Sequence, residues 1–153
     1  MTKIGIICTS FHREYIEKML STIKKSAKKL ELDVNNIFWI PGALEIPYAI
    51  KKIEKEKFID ENGNEVKHMF SGYVVLGIIE KGETQHGLVI GQTVINDLVS
   101  FQKKYGKPVG IGIIGPGAVP KQIEERIEIH ANNAIMAVNY MLKHPNEWRE
   151  EDE

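Results

Sequence analysis

Four short apolar runs, rich in β-branched residues, alternate along the chain with four amphipathic stretches. The runs are almost continuously hydrophobic, which is typical of strands that are buried on both faces of a sheet. Strands are therefore predicted for Lys3 to Thr9, Asn36 to Ile40, Gly72 to Ile79 and Pro108 to Ile114.

In the stretches between these runs, apolar residues recur at the spacing that places them on one face of a helix. The first and last of these helices are predicted within Tyr15 to Leu30 and from about Pro120 to Leu142. The second covers Ile46 to Ile53 and tolerates Pro47 because that residue lies in the opening turn. The third is predicted from about Thr84 to Tyr105.

A strand–helix order repeated four times predicts a parallel sheet with right-handed crossovers and helices on both faces. We therefore expect a three-layer, doubly wound α/β sandwich with a four-stranded parallel sheet, of the flavodoxin-like type. Its 153 residues suit a single domain. Residues 58–70 interrupt the alternation, and Asn62-Gly63 predicts a small hairpin there. The charged residues 146–153 are expected to fray.

Charge and cysteine content exclude several classes of partner. The formal net charge of -1 does not indicate the excess of positive charge that binds nucleic acid or an anionic membrane. A single cysteine, Cys8, allows neither an intrachain disulfide nor a cysteine metal cage, and it is expected to be a small buried hydrophobe. The histidines lack metal-ligand spacing. Without a signal peptide or a run of ~20 apolar residues, we expect the cytoplasm.

The residues able to do chemistry concentrate in the loops that follow the four predicted strands. In an open parallel sheet, ligands bind beyond the carboxyl ends of the strands, where these loops meet. A site is therefore predicted among Ser10-Phe11-His12, Pro41 to Glu45, Glu80 to His86 and Gly115-Pro116-Gly117.

The third loop carries the strongest candidate for catalysis. Gly82 allows a sharp turn after a buried strand, and Thr84 can cap the next helix. The free N–H groups at such a helix start attract an anion such as phosphate. His86 would lie beside that anion, where an imidazole can donate and accept protons near neutral pH. The competing interpretation is a surface histidine near a helix cap.

Three further residues have two interpretations each. Phe11 could stack on a flat ring or cap the core. Glu45 could accept hydrogen bonds from ligand hydroxyls or stabilise a helix N-terminus. Arg126 could bind a ligand or be an exposed charge with glutamate partners on its helix.

Two nucleotide-binding motifs can be excluded. Gly110 to Gly115 matches G-x-G-x-x-G, but most of the motif lies within the fourth predicted strand and no suitable acidic residue follows. Gly115-Pro116-Gly117 lacks the lysine and hydroxyl of a P-loop.

Two motifs together resemble the lumazine synthase family. They are P-G-A-x-E-I-P at residues 41–47 and K-G-E-T-x-H at residues 81–86, and the likeness extends from Ile4 to about Leu142. The resemblance implies condensation of 5-amino-6-(D-ribitylamino)uracil with 3,4-dihydroxy-2-butanone 4-phosphate. The product would be 6,7-dimethyl-8-ribityllumazine, in riboflavin biosynthesis, and no metal or organic cofactor would be needed.

The resemblance also implies a role for individual residues. His86 would be the catalytic proton donor and acceptor, with phosphate held by the backbone of Glu83 and Thr84 and by Arg126. Phe11 would stack on the pyrimidine, and Ile111 would close the pocket. The remaining contacts would come from two segments: Ala43, Leu44 and Glu45 at the ribityl chain, and Ile78, Ile79 and Glu80 along the ring edge.

Members of this family form homopentamers with sites shared between neighbours, and some close into an icosahedral shell. The resemblance therefore implies that Arg126 acts at a site shared with an adjacent subunit, and that a monomer is inactive. Alternatives of the same fold are an archaeal-type riboflavin synthase and a non-catalytic shell or lumazine-binding protein. A flavodoxin-like FMN carrier is disfavoured because the first loop lacks a hydroxyl- and glycine-rich phosphate cradle.

Overall fold

The computed structural model of the chain describes residues 1–80 and 86–151. Seven strands and four α-helices are assigned in this part of the chain. The strands are β1 (Thr2–Thr9), β2 (Leu32–Asp33), β3 (Ile37–Ile40), β4 (Lys57–Ile59), β5 (Glu65–Lys67), β6 (Gly72–Glu80) and β7 (Val109–Ala118). The helices are α1 (Arg13–Leu30), α2 (Ile46–Lys55), α3 (His86–Tyr105) and α4 (Pro120–Met141).

The central sheet is parallel, with the order β3-β1-β6-β7, which confirms the predicted fold class. The second predicted strand is present as β3, and β2 is an additional short strand that was not predicted, so the sheet has five strands where four were expected. Strand β2 pairs with the start of β1, and β3 pairs with the end of the same strand. Between them the Asp33 carboxylate accepts a hydrogen bond from the Asn35 N–H at 2.9 Å, a side-chain turn that replaces ladder pairing.

Helices cover both faces of the sheet because successive strand side chains point to opposite sides. Ile4, Ile6 and Cys8 of β1 pack with the buried faces of α1 and α4. Ile7, between them, packs on the other face with α2 and α3. Burial raises the pKa of the Cys8 thiol to about 12, which keeps it protonated and suits a small apolar core residue.

The strand β7 continues beyond the predicted end at Ile114. We expected Gly115-Pro116-Gly117 in a loop, but these residues belong to the strand, and Glu80 pairs with Ala118 after a register shift. Glycine permits this because a Cβ at Gly115 would lie 2.1 Å from the Ile79 carbonyl oxygen. These residues therefore form a close contact between β6 and β7 instead of the predicted loop.

Residues between α2 and β6 form an antiparallel hairpin of β4 and β5. Its turn is closed by the Asp60 carboxylate, which accepts hydrogen bonds from the N–H groups of Asn62 and Asn64. Phe58 anchors the hairpin edge-on against Phe70, with ring centroids 5.7 Å apart. The Phe58 ring thus ties the hairpin to the core.

Part of the carboxyl-terminal segment has regular structure. Of residues 146–153, which are predicted to fray, 152 and 153 lie outside the described residues, and Pro145–Trp148 forms a 3-10 turn. The Trp148 indole N–H donates to the Tyr140 carbonyl at 3.2 Å, which ties the turn back to α4.

Candidate active site

A pocket of about 440 Å³ opens where the carboxyl ends of β1, β3 and β6 meet the start of α3. This is the edge of the sheet at which a doubly wound fold binds ligands. Eight of the predicted site residues line it, namely Phe11, Ala43, Leu44, Glu45, Ile78, Ile79, Glu80 and His86, together with Thr9, Gly42, Gly87 and Ile90.

The loop after β1 is held against the end of β3 by its backbone. The Ser10 N–H donates to the Ile40 carbonyl at 2.7 Å, and the Phe11 N–H donates to the Pro41 carbonyl at 3.3 Å. These bonds place the Phe11 ring at the pocket while leaving its side chain exposed. An exposed aromatic ring fixed in this way can stack on a flat ligand.

A second wall comes from the P-G-A-x-E-I-P segment. Gly42 is extended and precedes a single 3-10 turn over Ala43–Glu45, and Pro47 lies in the first turn of α2. Leu44 and Glu45 are exposed at this turn. The turn therefore presents both an apolar side chain and a carboxylate to the pocket.

The third wall is the end of β6. Ile78 and Ile79 are buried, Glu80 is half-buried, and α3 begins at His86. Helix α3 approaches closely here, since a Cβ on Gly87 would lie 3.2 Å from the Glu80 carbonyl oxygen. His86 is exposed in the first turn of α3 and lines the pocket. Glu83 and Thr84, the predicted phosphate contacts, lie outside the described residues.

Two polar residues of the site had no predicted role. Thr9 is buried at the pocket, and its hydroxyl has no hydrogen-bond partner within the described part of the chain. His12 places Nε2 2.8 Å from Glu80 Oε1, at ion-pair distance but without the alignment of a hydrogen bond. Thr9 could have been predicted as a site residue from its position at the end of a strand, whereas no sequence pattern pairs His12 with Glu80.

Two predicted site residues do not line this pocket. Ile111 is half-buried on β7 and packs against the core beneath α3. Arg126 is exposed on α4. Within one chain, therefore, the structure brings together the residues predicted to bind the ring and the ribityl chain and the predicted catalytic histidine, but leaves Ile111 and Arg126 outside the pocket.

The chemistry that this pocket offers is polar recognition within apolar walls. Isoleucine side chains and a phenylalanine ring can enclose a flat ligand, while two carboxylates and a histidine offer acceptors and proton transfer. Among residues 1–80 and 86–151, no group of three histidine, cysteine or acidic side chains could hold a metal ion. No helix of this part of the chain is long and apolar enough to cross a membrane.

Comparison with known proteins agrees with the motifs that form this pocket. The sequence model of the 6,7-dimethyl-8-ribityllumazine synthase family matches residues 1–146. The 6,7-dimethyl-8-ribityllumazine synthase of Staphylothermus marinus is 35% identical over 142 residues, covering 93% of this chain and 87% of that protein.

Two other archaeal relatives with the same name are similarly close. The protein of Metallosphaera sedula is 34% identical over 92% of this chain and 86% of its own length. That of Saccharolobus islandicus is 33% identical over 88% of this chain and 80% of its own length. With the family match spanning both motifs and the whole sheet, the chain belongs to the 6,7-dimethyl-8-ribityllumazine synthase family.

Proposed function

We propose that this protein is a 6,7-dimethyl-8-ribityllumazine synthase, a transferase of riboflavin biosynthesis. It condenses 5-amino-6-(D-ribitylamino)uracil with 3,4-dihydroxy-2-butanone 4-phosphate and releases phosphate and water. The observation that carries the proposal is the single pocket in which Phe11, the Ala43–Glu45 turn, the end of β6 and His86 converge. Membership of the family supports it.

The pocket suggests how the pyrimidine is bound. Phe11 stacks on the ring, and Ile78 and Ile79 form an apolar wall along its edge. Glu45 accepts hydrogen bonds from ribityl hydroxyls at the exposed turn, beside Ala43 and Leu44. Holding two reactants side by side supplies much of the acceleration, because the bimolecular step becomes effectively unimolecular.

His86 is the proposed proton donor and acceptor. The amine of the pyrimidine attacks the ketone, and loss of water gives an imine; elimination then expels phosphate, and ring closure releases a second water. Each step moves a proton, and an imidazole in the first turn of α3 can deliver and remove it near neutral pH. Glu83 and Thr84 are proposed to hold the leaving phosphate through backbone N–H groups.

Arg126 is proposed to complete the phosphate site from a neighbouring subunit of a homopentamer. Its exposure on α4, outside the pocket of its own chain, supports this arrangement. A guanidinium fork matches a phosphate with paired hydrogen bonds. Closure of pentamers into an icosahedral shell remains a prediction, as does the contact expected from Ile111.

We also propose a cytoplasmic location. The support is chemical, since a butanone phosphate and a polyhydroxylated pyrimidine do not cross a bilayer unaided. Fractionation of the source cells, with the protein found in the membrane or exported fraction, would contradict this location.

The direct test mixes purified protein with both substrates and follows the appearance of lumazine fluorescence against a protein-free control. We expect a saturable rate above background, and His86→Ala should lower kcat by roughly 10²–10⁴-fold without abolishing turnover. The matched control is His144→Ala, an exposed histidine near the carboxyl terminus that should leave the rate unchanged.

Three results would count against the proposal. An assembled protein that accelerates nothing is not a lumazine synthase. If it instead consumes lumazine, it is a riboflavin synthase, and if it binds ligand without turnover, it is a lumazine-binding protein. Complete loss of activity in a folded His86→Ala variant would contradict the proposal that orientation of the two reactants supplies much of the acceleration.

A further inference from the structure

Glu80 is one of the residues that line the pocket, and its carboxylate contacts His12, the residue after Phe11. Glu80 ends β6, directly after the apolar wall of Ile78 and Ile79, and its side chain is 35% exposed. The contact of Oε1 with His12 Nε2, at 2.8 Å, is its one polar contact to a side chain in the described part of the chain. Within that part of the chain, the other carboxylate oxygen has no side-chain partner.

His12 is itself held on several sides. Its backbone is left-handed, with φ of 57°, which is uncommon for a residue other than glycine. Its carbonyl accepts the N–H groups of Tyr15 and Ile16, which begin α1, and its ring lies edge-on to Phe11 with centroids 4.3 Å apart. The direction of the imidazole is thus fixed by both backbone and packing, and its side chain is only 24% exposed.

We propose that Glu80 recognises the N–H donors of the pyrimidine ring, and that His12 is the positioning residue that holds this carboxylate in place. The inference rests on the proposed function, and it assigns to the Glu80 side chain a contact beyond the backbone lining of the ring edge. It also assigns a role at the site to the left-handed backbone conformation of His12.

Chemistry favours this pairing of carboxylate and ring. An ionised carboxylate only accepts hydrogen bonds, and the aminopyrimidine carries ring N–H and amino donors on its edge. Phe11, which contacts His12, is the proposed stacking surface for the same ring. A carboxylate fixed before binding loses less side-chain entropy when the ligand arrives, so His12 strengthens binding without touching the ligand.

Glu80 would also contribute specificity. A flat ring that presents only acceptors to Glu80 would leave the carboxylate without a donor in a partly apolar pocket, which is unfavourable. The residue therefore selects for a donor edge, whereas the butanone phosphate has no N–H group and its phosphate carries the same sign of charge as the Glu80 carboxylate.

The test is steady-state kinetics on the full-length, assembled protein with each substrate varied in turn, for Glu80→Gln, His12→Ala, His12→Gln and the Glu80→Gln/His12→Ala double variant. We expect Glu80→Gln to raise the KM for the pyrimidine roughly tenfold or more, with the KM for butanone phosphate unchanged. His12→Ala should raise the same KM alone, by about threefold to tenfold. His12→Gln, which keeps a polar N–H group near Glu80, should raise this KM less than His12→Ala does.

Two comparisons separate positioning from a structural contact. Once Glu80→Gln is present, adding His12→Ala should change the pyrimidine KM no further, because the carboxylate that His12 positions is gone. The matched control is Glu17→Gln, which removes an exposed ion pair with Arg13 on α1 and should change neither KM. Calorimetry with the pyrimidine alone verifies that KM follows binding.

The possible outcomes distinguish the role of Glu80, the role of His12 and the proposed function. Lumazine formation with a pyrimidine KM that is insensitive to Glu80→Gln overturns this inference and leaves the proposed function standing. Additive effects in the double variant, or equal changes in both KM values, overturn the positioning role of His12. If the wild type binds the pyrimidine through Glu80 but forms no lumazine, the inference holds and the proposed function fails; no pyrimidine binding overturns both.

Discussion

Glu54 shows how a single charged residue can be buried when the fold supplies its partners. Its side chain is 1% exposed on α2. The carboxylate accepts hydrogen bonds from the Tyr73 hydroxyl at 2.5 Å, from His68 Nδ1 at 3.0 Å and from Lys107 Nζ. These donors come from β6, from the segment after β5 and from the segment between α3 and β7, so Glu54 ties distant parts of the chain together.

The protonation of Glu54 follows from this arrangement. Burial alone would raise the pKa of Glu54, but the hydrogen bonds from Lys107, Tyr73 and His68 outweigh it and lower the pKa below its ordinary value of 4.5. A carboxyl whose pKa is lower in the folded than in the unfolded state stabilises the fold above the unfolded value. That stabilisation is lost as the pH falls through the folded pKa.

Glu54→Gln should therefore destabilise the protein in a pH-dependent way. At about pH 7 we expect the free energy of unfolding to fall by about 2–4 kcal/mol, because Lys107 keeps a mostly buried charge without its counter-charge. Below about pH 4.5 the difference from wild type should shrink, as the wild-type carboxyl also loses its charge. Urea unfolding at a series of pH values measures both effects.

The control for this experiment is Glu56→Gln, close by in sequence. Glu56 forms an ion pair with Lys52 at 3.3 Å, and both side chains are at least half exposed, so its loss should change stability little. A Glu54→Gln effect that stays constant from about pH 7 to about pH 3 would mean that shape, and not charge, explains the loss.

At the scale of elements, the contact between β7 and α4 depends on a glycine. A Cβ at Gly110 would lie 2.3 Å from the Ala134 carbonyl oxygen and 2.8 Å from its carbonyl carbon. Those are backbone atoms within a helix turn and cannot move aside as the end of a flexible side chain could. Gly110 thus sets how closely α4 packs on the sheet.

Gly110→Ala is expected to destabilise the fold by at least about 2 kcal/mol, because the helix must shift away from the sheet. The matched control is Gly77→Ala in β6, where the added Cβ would meet Thr9 at an ordinary 3.5 Å. Thermal unfolding of both variants measures the difference. Equal melting temperatures for the two would show that α4 can move at little cost.

At the scale of the whole molecule, the outer helices leave apolar side chains in solvent. Exposed residues of this kind on α3 and α4 are Leu88, Val89, Val99, Ile129, Met136, Tyr140 and Met141. Exposed apolar surface on helices is typical of faces that contact other subunits. It is consistent with the proposed homopentamer, in which Arg126 of one subunit would serve the pocket of the next.

Shared sites make a prediction for mixed oligomers. His86→Ala and Arg126→Ala subunits, each impaired alone, should regain activity when co-expressed, because some pockets then combine an intact His86 with an intact neighbouring Arg126. With equal amounts and random mixing, roughly a quarter of the sites would be restored.

The rate of lumazine formation by co-purified mixed oligomers, compared with the mean of the two separate variants, measures the recovery. A mixture no more active than that mean would place Arg126 and His86 of the same chain at one site, or Arg126 at none. The control mixes His86→Ala with itself under a second purification tag, which should give no gain.

The sequence by itself determined the fold class, the strand order along the chain and the family. Apolar runs and helical spacing are local consequences of burial, so the four main helices and the parallel sheet could be predicted directly. The positions of Phe11, Glu45 and His86 in loops that follow the strands also predicted that they would converge, because parallel strands end at one edge.

Only the tertiary structure decided the contacts between residues far apart in sequence. The pairing of His12 with Glu80 and the three donors around Glu54 depend on side-chain distances that no local pattern encodes. The strand through Gly115-Pro116-Gly117 was mistaken for a loop because glycine and proline usually end strands. Here the strand continues, and at Gly115 it lies so close to β6 that a Cβ would collide with the Ile79 carbonyl oxygen.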